Sequence, residues 1–406
     1  MVSPDATVLP VGRPIDPPRE RSEGTQPVRR LPDEDEELEP GMALCLSGGG
    51  YRAMLFHVGV LWRLNQAGLL SGLKRVSSVS GGSITAGVLA RSWGELAFVN
   101  EVATSFRDVV VSPVRALART DIDVSSVLRG AALPWTSIAD QVEKVYDRIL
   151  YEGATLQDLP DEPRFVFNAT NLESGVLVRM SKPYLADYRV GRINDPTLPL
   201  ALVVTASSAF PPFLSPCTLD LRDAEWITEQ GNDLADRRGF RDEVSLCDGG
   251  VYDNLGVETA WKRYRTVLVS DAGGLMGAEP DVPGDWGRGL VRVLSVIDNQ
   301  VRALRKQQVV GALRAGDRDG MYVGIRSDLS GYPVPDPLDA EPAVTKRLAE
   351  LSTRLDAMPE ELQELLINWG YVVADAGIRS YVDREADRGS LPYPDRPLTD
   401  ASVQGD

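Results

Sequence analysis

The chain has almost no histidine: His57 is the only one in 406 residues. A Ser-His-Asp triad in the order usual for an α/β-hydrolase needs a histidine after the acid. His57 lies instead in an apolar stretch ahead of every candidate nucleophile and reads as a packed structural residue, unless it serves as a base in an unusual topology. Cysteine is also scarce. Cys45, Cys217 and Cys247 are odd in number and widely spaced, which excludes a disulfide framework and gives no metal-ligand spacing. Positive charge is in deficit, with 43 Lys and Arg against 59 Asp and Glu and a net charge of -16. A chain so acidic has no field for nucleic acid phosphates. No apolar run reaches the roughly 18 residues of a membrane span, and the N-terminus has no signal-peptide pattern, so the expected address is cytoplasmic.

What is present begins at Met42. Residues 1–40 ("VGRPIDPPRERSEG", "LPDEDEELEPG") lack periodicity and read as a polar tail. "MALCLS" is a short apolar run ending in glycines. "YRAMLFHVGVLWRLNQAGLL" then spaces Met54, Val58, Leu61 and Leu64 at helical intervals and stops near Gly68. "KRVSSVS" reads as a strand, with a helix starting immediately after its last serine. The stretch from about 106 to 161 is helical but interrupted, as a cover over a core would be. "RFVFNATNLESGVLVRMS" alternates like a hairpin, and "EVSLCDGG" and "RTVLVSDAGG" are strands ending in Asp and glycine. Leu348, Leu351, Leu355, Leu362, Leu365 and Leu366 form the stripe of C-terminal amphipathic helices. Alternating strands and helices argue for an α/β sandwich with a mostly parallel sheet.

Three constellations carry chemistry. In "SVSGG" a nucleophile elbow would put Ser80 at a strained turn, with small residues, Ser78 and Gly82, two positions either side. Gly81 would then present its N–H at a helix start, where an oxyanion is stabilised. A plain Ser/Gly turn is the competing reading of that stretch taken alone. In "CLSGGGYRA" the consecutive Gly48, Gly49 and Gly50 allow backbone N–H groups to converge on a negative oxygen, with Arg52 nearby. A P-loop is excluded because Tyr51, Arg52 and Ala53 follow the glycines, and a dinucleotide site because no acid stands at the required distance downstream. No cofactor is therefore expected. With no histidine placed for a conventional triad, the base for Ser80 must be a carboxylate or a lysine, or His57 in an unusual topology. Asp248, followed by Gly249 and Gly250, leaves more room for a hydroxyl than Asp271, which is followed by Ala272.

"SGGGYRA", "SVSGG" and "DGG", in that order, resemble the three motifs of the patatin-like phospholipase family. The similarity extends to "FNATNLESG", "ASSAFPPF" and "DGGVYDNLG", and so spans about residues 42–275. "SGGGYRAM" is also similar to the cytosolic phospholipase A2 catalytic domain. The resemblance implies a three-layer α/β/α sandwich that hydrolyses lipid acyl esters, with Ser80 as nucleophile, Asp248 as proton acceptor and the Gly48–Gly50 loop as oxyanion hole, assisted by Arg52. The departures are Ser78 for the first glycine of the elbow and Ala53 at the end of the glycine loop.

The organisation this implies is a catalytic core over 42–275, a mainly helical extension over 276–390 packed on it, and a flexible tail over 391–406. The substrate would be a lipid ester at a membrane or micelle surface. Val110, Val111, Leu117, Leu128 and Trp135 of the cover are candidates for an apolar access surface, with Arg115, Arg119 and Arg129 as a local basic patch. The alternatives are an esterase, thioesterase or acyltransferase of the same fold on a non-membrane substrate, and a lipid-binding regulator without turnover.

Overall fold

The computed structural model describes residues 38–122 and 138–399, apart from positions 212, 213, 238 and 283. Most of the expected N-terminal tail, and Leu128, Arg129 and Trp135 of the cover, lie outside the described residues. In chain order the elements are β1 (Glu39–Leu46), α1 (Gly50–Gln66), β2 (Leu73–Ser78), α2 (Gly81–Arg91), the hairpin strands β3 (Phe98–Val99) and β4 (Val102–Ala103), α3 (Ser112–Ala118), α4 (Ile138–Tyr146) and β5 (Arg164–Asn171). Next come β6 (Leu177–Ser181), β7 (Tyr184–Asp187), β8 (Gly191–Asn194), α5 (Leu200–Ser207), β9 (Cys217–Asp220), β10 (Trp226–Ile227), β11 (Glu243–Asp248), α6 (Gly250–Asp253), α7 (Glu258–Trp261) and β12 (Tyr264–Asp271). The chain closes with α8 (Trp286–Ala315), β13 (Asp319–Gly324), α9 (Pro342–Glu350) and α10 (Glu360–Gly377).

Strands β5, β2, β1, β12 and β13 form a parallel block at the heart of the sheet, in that order. An antiparallel extension, β6, β7, β8 and β10, continues from β5. Side chains of β1 alternate between the two faces. Leu44 and Leu46 join one apolar cluster with α1, α2 and α10, while Ala43 and Cys45 join a second with Val257, Ala260 and Val309 of the opposite helical layer. The sheet is thus sandwiched between helices. All three cysteines are free and buried.

The topology of β5 positions the site. β2 pairs with its first half, ending at Ser78 opposite Phe167. β11 pairs antiparallel with the second half, ending at Asp248 opposite Ala169. β6 occupies the other edge of β5 over the same residues, so β2 and β11 share one edge and meet head to head at Asn168.

The extension at 276–390, expected to be mainly helical, also contributes β13 to the parallel block beside β12. Two expectations are corrected. Residues 391–399 are not a flexible tail: Leu398 is fully buried, and the Asn368 amide donates to the Tyr393 carbonyl at 2.9 Å. The cover does not offer an apolar access surface at Val110, Val111 and Leu117, all of which are buried in the main core. Its cations are engaged as well, Arg115 with Glu364 and Arg119 with Glu360.

The C-terminal helix is built into the fold by a backbone contact. A side-chain carbon at Gly370 of α10 would stand 2.0 Å from the Phe56 carbonyl of α1, and one at Gly59 would stand 1.9 Å from the Ile367 carbonyl. Helix propensity favours Gly370→Ala by about 1 kcal/mol. Forcing two backbones apart in a packed core costs about 1–3 kcal/mol or more, so the contact wins. Gly370→Ala is expected to lower the urea midpoint of unfolding.

Candidate active site

Ser80 sits between β2 and α2 with φ 53° and ψ -121°, a strained left-handed backbone, as an elbow demands. The strain is held by a hydroxyl network. The Ser80 N–H donates to Ser207 Oγ at 3.1 Å, and Ser207 Oγ donates to the Asn168 carbonyl at 2.7 Å. Ser83 Oγ lies 2.9 Å from Ser78 Oγ and 2.8 Å from Ser207 Oγ, so its proton has two acceptors. Ser78 is a fully buried β2 residue whose hydroxyl completes this network.

Asp248 ends β11 and is 2% exposed. Its carboxylate accepts the Gly250 N–H at 2.7 Å, and the Ser80 side chain is close enough to pull its carboxyl down. Burial pushes its carboxyl up to about 6, against the pull of those two donors. Backbone anchors hold it in place: its own N–H donates to the Ala209 carbonyl at 2.9 Å, and the Gly249 N–H to the Ser207 carbonyl at 3.2 Å. Asp271 is placed elsewhere. It accepts Tyr322 Oη at 2.5 Å and the Gly273 N–H at 2.9 Å, and no hydrogen bond joins it to Ser80.

The glycine loop lies against the elbow. Gly49 and Gly50 have φ of 142° and 59°, and a side-chain carbon on Gly50 would strike the Thr353 carbonyl at 1.8 Å. A side-chain carbon on Gly81 would lie 2.9 Å from the Gly50 nitrogen, so these two backbones touch. Among the described residues no acceptor takes the N–H of Gly49, Gly50 or Gly81. The N-termini of α1 and α2 thus converge beside Ser80, and their dipoles favour a negative oxygen there.

Two expected oxyanion donors are otherwise occupied. The Gly48 N–H donates to the Asn254 carbonyl at 3.1 Å. Arg52 is committed elsewhere: its guanidinium donates to the carbonyls of Ala349, Leu351 and Ala272, each at 2.8 Å. It clamps the loop to the C-terminal region instead of touching the reaction centre. Gly82 likewise has a structural task, its N–H donating to the Ser47 carbonyl at 3.1 Å. His57 is fully buried between Ser270 Oγ at 2.8 Å and the Ser47 carbonyl at 2.9 Å. Burial pulls its imidazole down to about 4, so it stays neutral, a packed histidine.

Sequence reasoning missed Asn168, Ser207 and Asn254. Asn168 donates to Ser77 Oγ and to the Ser78 carbonyl, both at 2.9 Å, and so fixes the end of β2. The motif similarity at "FNATN" and "ASSAF" was the available signal for the first two.

The model of the family described as patatin-like phospholipase matches residues 44–261, more than half of the chain. The chain belongs to that family. Among solved structures, this patatin-like chain is similar to human GIVD cytosolic phospholipase A2, with 13% identity and a TM-score of 0.46, covering 84% of this chain and 62% of that one. The same human protein in complex with methyl gamma-linolenyl fluorophosphonate is 14% identical with a TM-score of 0.46, covering 83% and 57%. VipD from Legionella pneumophila is 16% identical with a TM-score of 0.36, covering 83% and 66%. The match therefore spans less than two thirds of each of those chains. No curated protein matches the sequence.

Two outcomes are expected from this geometry. In Ser78→Gly the Ser83 proton turns fully to Ser207 and the elbow keeps its brace, so turnover stays within about tenfold of wild type, a loss of ~1.4 kcal/mol at most. Asp248→Asn bears on stability. An unfolded Asp titrates near 3.9, below the native value of about 6, so the native state is favoured below pH ~4 and loses that advantage as pH rises to ~6. The variant escapes that loss, and urea unfolding should find it more stable than wild type at pH 8 by about 3 kcal/mol, with the gap closing near pH 4.

Proposed function

We propose that this patatin-like protein hydrolyses carboxylic esters of phospholipids or related lipids through a Ser80–Asp248 dyad. The observation that carries the reading is a strained Ser80, its φ at 53°, beside a buried Asp248 whose carboxyl it pulls down, with three N–H groups without an acceptor among the described residues next to it.

In this mechanism Asp248 accepts the Ser80 proton as Oγ attacks the ester carbonyl. The tetrahedral oxyanion is received by the N–H groups of Gly49, Gly50 and Gly81. Collapse passes the proton from Asp248 to the leaving alcohol and leaves an acyl group on Ser80. Water, deprotonated by the same carboxylate, then attacks the acyl carbonyl; the bond to Ser80 Oγ breaks, Asp248 returns the proton to Oγ, and the fatty acid leaves.

A carboxylate raised to about 6 is a better base than an ordinary one near 4, yet it remains far weaker than an alkoxide. Most of the acceleration therefore falls on the oxyanion donors, each contributing about 3 kcal/mol in comparable sites. No metal is needed for these steps. A strained serine beside a buried acid argues against a regulator without turnover, since a binding protein gains nothing from either.

The test is fatty-acid release from phospholipid vesicles, with fluorophosphonate labelling as a probe independent of substrate. Ser80→Ala and Asp248→Asn are each expected to lower release about 1000-fold or more, and Ser80→Ala to abolish labelling. Equal release by wild type and Ser80→Ala would refute the reading. Because the base must be ionised, kcat/KM should fall as pH drops through about 6 and level off above it.

A further inference from the structure

Helix α8 is amphipathic in the wrong direction for a chain surrounded only by water. Trp286, Leu290, Val293, Leu294, Ile297 and Leu304 fall on one stripe of its surface, and that stripe faces out. Trp286 is 86% exposed and Leu304 57%, and the four between them are half-exposed or more. The inward face is polar: Arg292 bonds the Gly277 carbonyl at 2.8 Å, Arg302 bonds the Gly274 carbonyl and pairs with Asp298, and Arg305 pairs with Glu258. Behind it lies a cavity of about 140 Å³ whose lining includes Asn299, Arg302 and Lys306. Only the C-terminal half is anchored by apolar packing, with Val309 buried against Ala43, Cys45 and Val267.

We infer that the outward stripe of α8 is the docking surface for a phospholipid membrane or micelle, and that it brings the Ser80–Asp248 cleft to the lipid. This rests on the lipid-hydrolase reading and names the surface through which that site meets its substrate. A contiguous apolar patch of this kind marks an interaction site. The occupant is argued from charge, position and composition. The protein as a whole is acidic, at -16, yet the stripe itself holds no charged residue that lipid contact would have to desolvate, and Arg288, Arg292, Arg302 and Arg305 lie off it in ion pairs. Trp286, the most exposed of the six, stands at the N-terminal end of the stripe, where an interfacial helix places an aromatic anchor. Position follows from α6, which begins two residues after Asp248 and packs against α8, and from Asp298, whose charge acts on the Asp248 carboxylate. A second copy seated on the stripe would bury the surface beside the cleft that a lipid substrate must reach.

The test uses Leu290→Glu/Ile297→Glu in the full chain, since both positions are exposed and the fold does not depend on them. Binding is read by co-sedimentation with vesicles of phosphatidylcholine alone and of an equal mixture with phosphatidylserine, in a Ser80→Ala background that removes turnover. Activity is read separately on vesicles and on a soluble short-chain ester. The double variant is expected to lose vesicle binding and vesicle hydrolysis about tenfold or more while soluble-ester turnover changes less than about twofold. Equal vesicle binding with and without the double substitution would overturn the inference. So would a wild-type protein that ignores vesicles, or one that sediments as a dimer and is made monomeric by the substitution with no change in lipid binding. Failure of the hydrolase reading looks different: soluble-ester turnover indifferent to Ser80→Ala, with vesicle binding still lost on substitution of the stripe.

Discussion

Strand β5 is the constraint on which the site depends. A strand edge offers one row of hydrogen-bonding groups, and here that row is divided between a parallel partner and an antiparallel one. β2 and β11 are thereby aimed at each other, and Ser80 and Asp248, which follow or end them, are brought together from 168 residues apart in sequence. Asn168 sits at the junction, its amide holding the end of β2 while its carbonyl receives the Ser207 hydroxyl. Ser207 in turn holds the Ser80 N–H. One residue of β5 therefore sets both the spacing and the orientation of the elbow.

Such a site is costly to the fold. A carboxylate buried against its tendency to neutralise and a serine with positive φ each oppose folding, the second by about 1–3 kcal/mol. What keeps them in place is over-determination. Asp248 is held through its own N–H and that of Gly249, and Ser80 through the hydroxyl network. Arg52 belongs to the same economy of support: its three carbonyl contacts tie the glycine loop to the segment around residues 349–354, so the loop keeps its N–H groups aimed at the cleft. A charge engaged in clamping is unavailable to a reaction at Ser80, so in the proposed mechanism the free backbone donors carry the oxyanion alone.

Local patterns were legible in the sequence because they are dictated locally. The strand-glycine-helix transitions at Gly50 and Ser80, the β5–β6 hairpin and the Asp-terminated strands all follow from short-range rules, and the structure has each of them. So does the absence of a usable histidine, which left only carboxylates and lysines to consider. Asp248 could be favoured over Asp271 from the glycines after it, but the physical reason, that Tyr322 occupies Asp271, comes from β13 and has no local trace. Gly48 and Arg52 were misjudged for the same reason. Each looks available in sequence, and each is satisfied by a partner about 200 or more residues away.

Periodicity reports which face of a helix is apolar, not where that face points. For α10 the stripe turns inward and Leu365 and Leu366 are buried; for α8 it turns outward, and no local rule separates the two. The difference lies in what each helix meets: α10 packs backbone to backbone on α1, while α8 meets charged and carbonyl groups that only a polar face can satisfy. The region after residue 261 is thus more than an appendage to the matched family segment. It supplies β12, the parallel neighbour of β1, then β13, and the carbonyls that hold Arg52, and it carries the one long apolar stripe beside the cleft. A catalytic segment cut at residue 261 would expose an edge of β1 and release the glycine loop, losing the geometry on which the dyad relies.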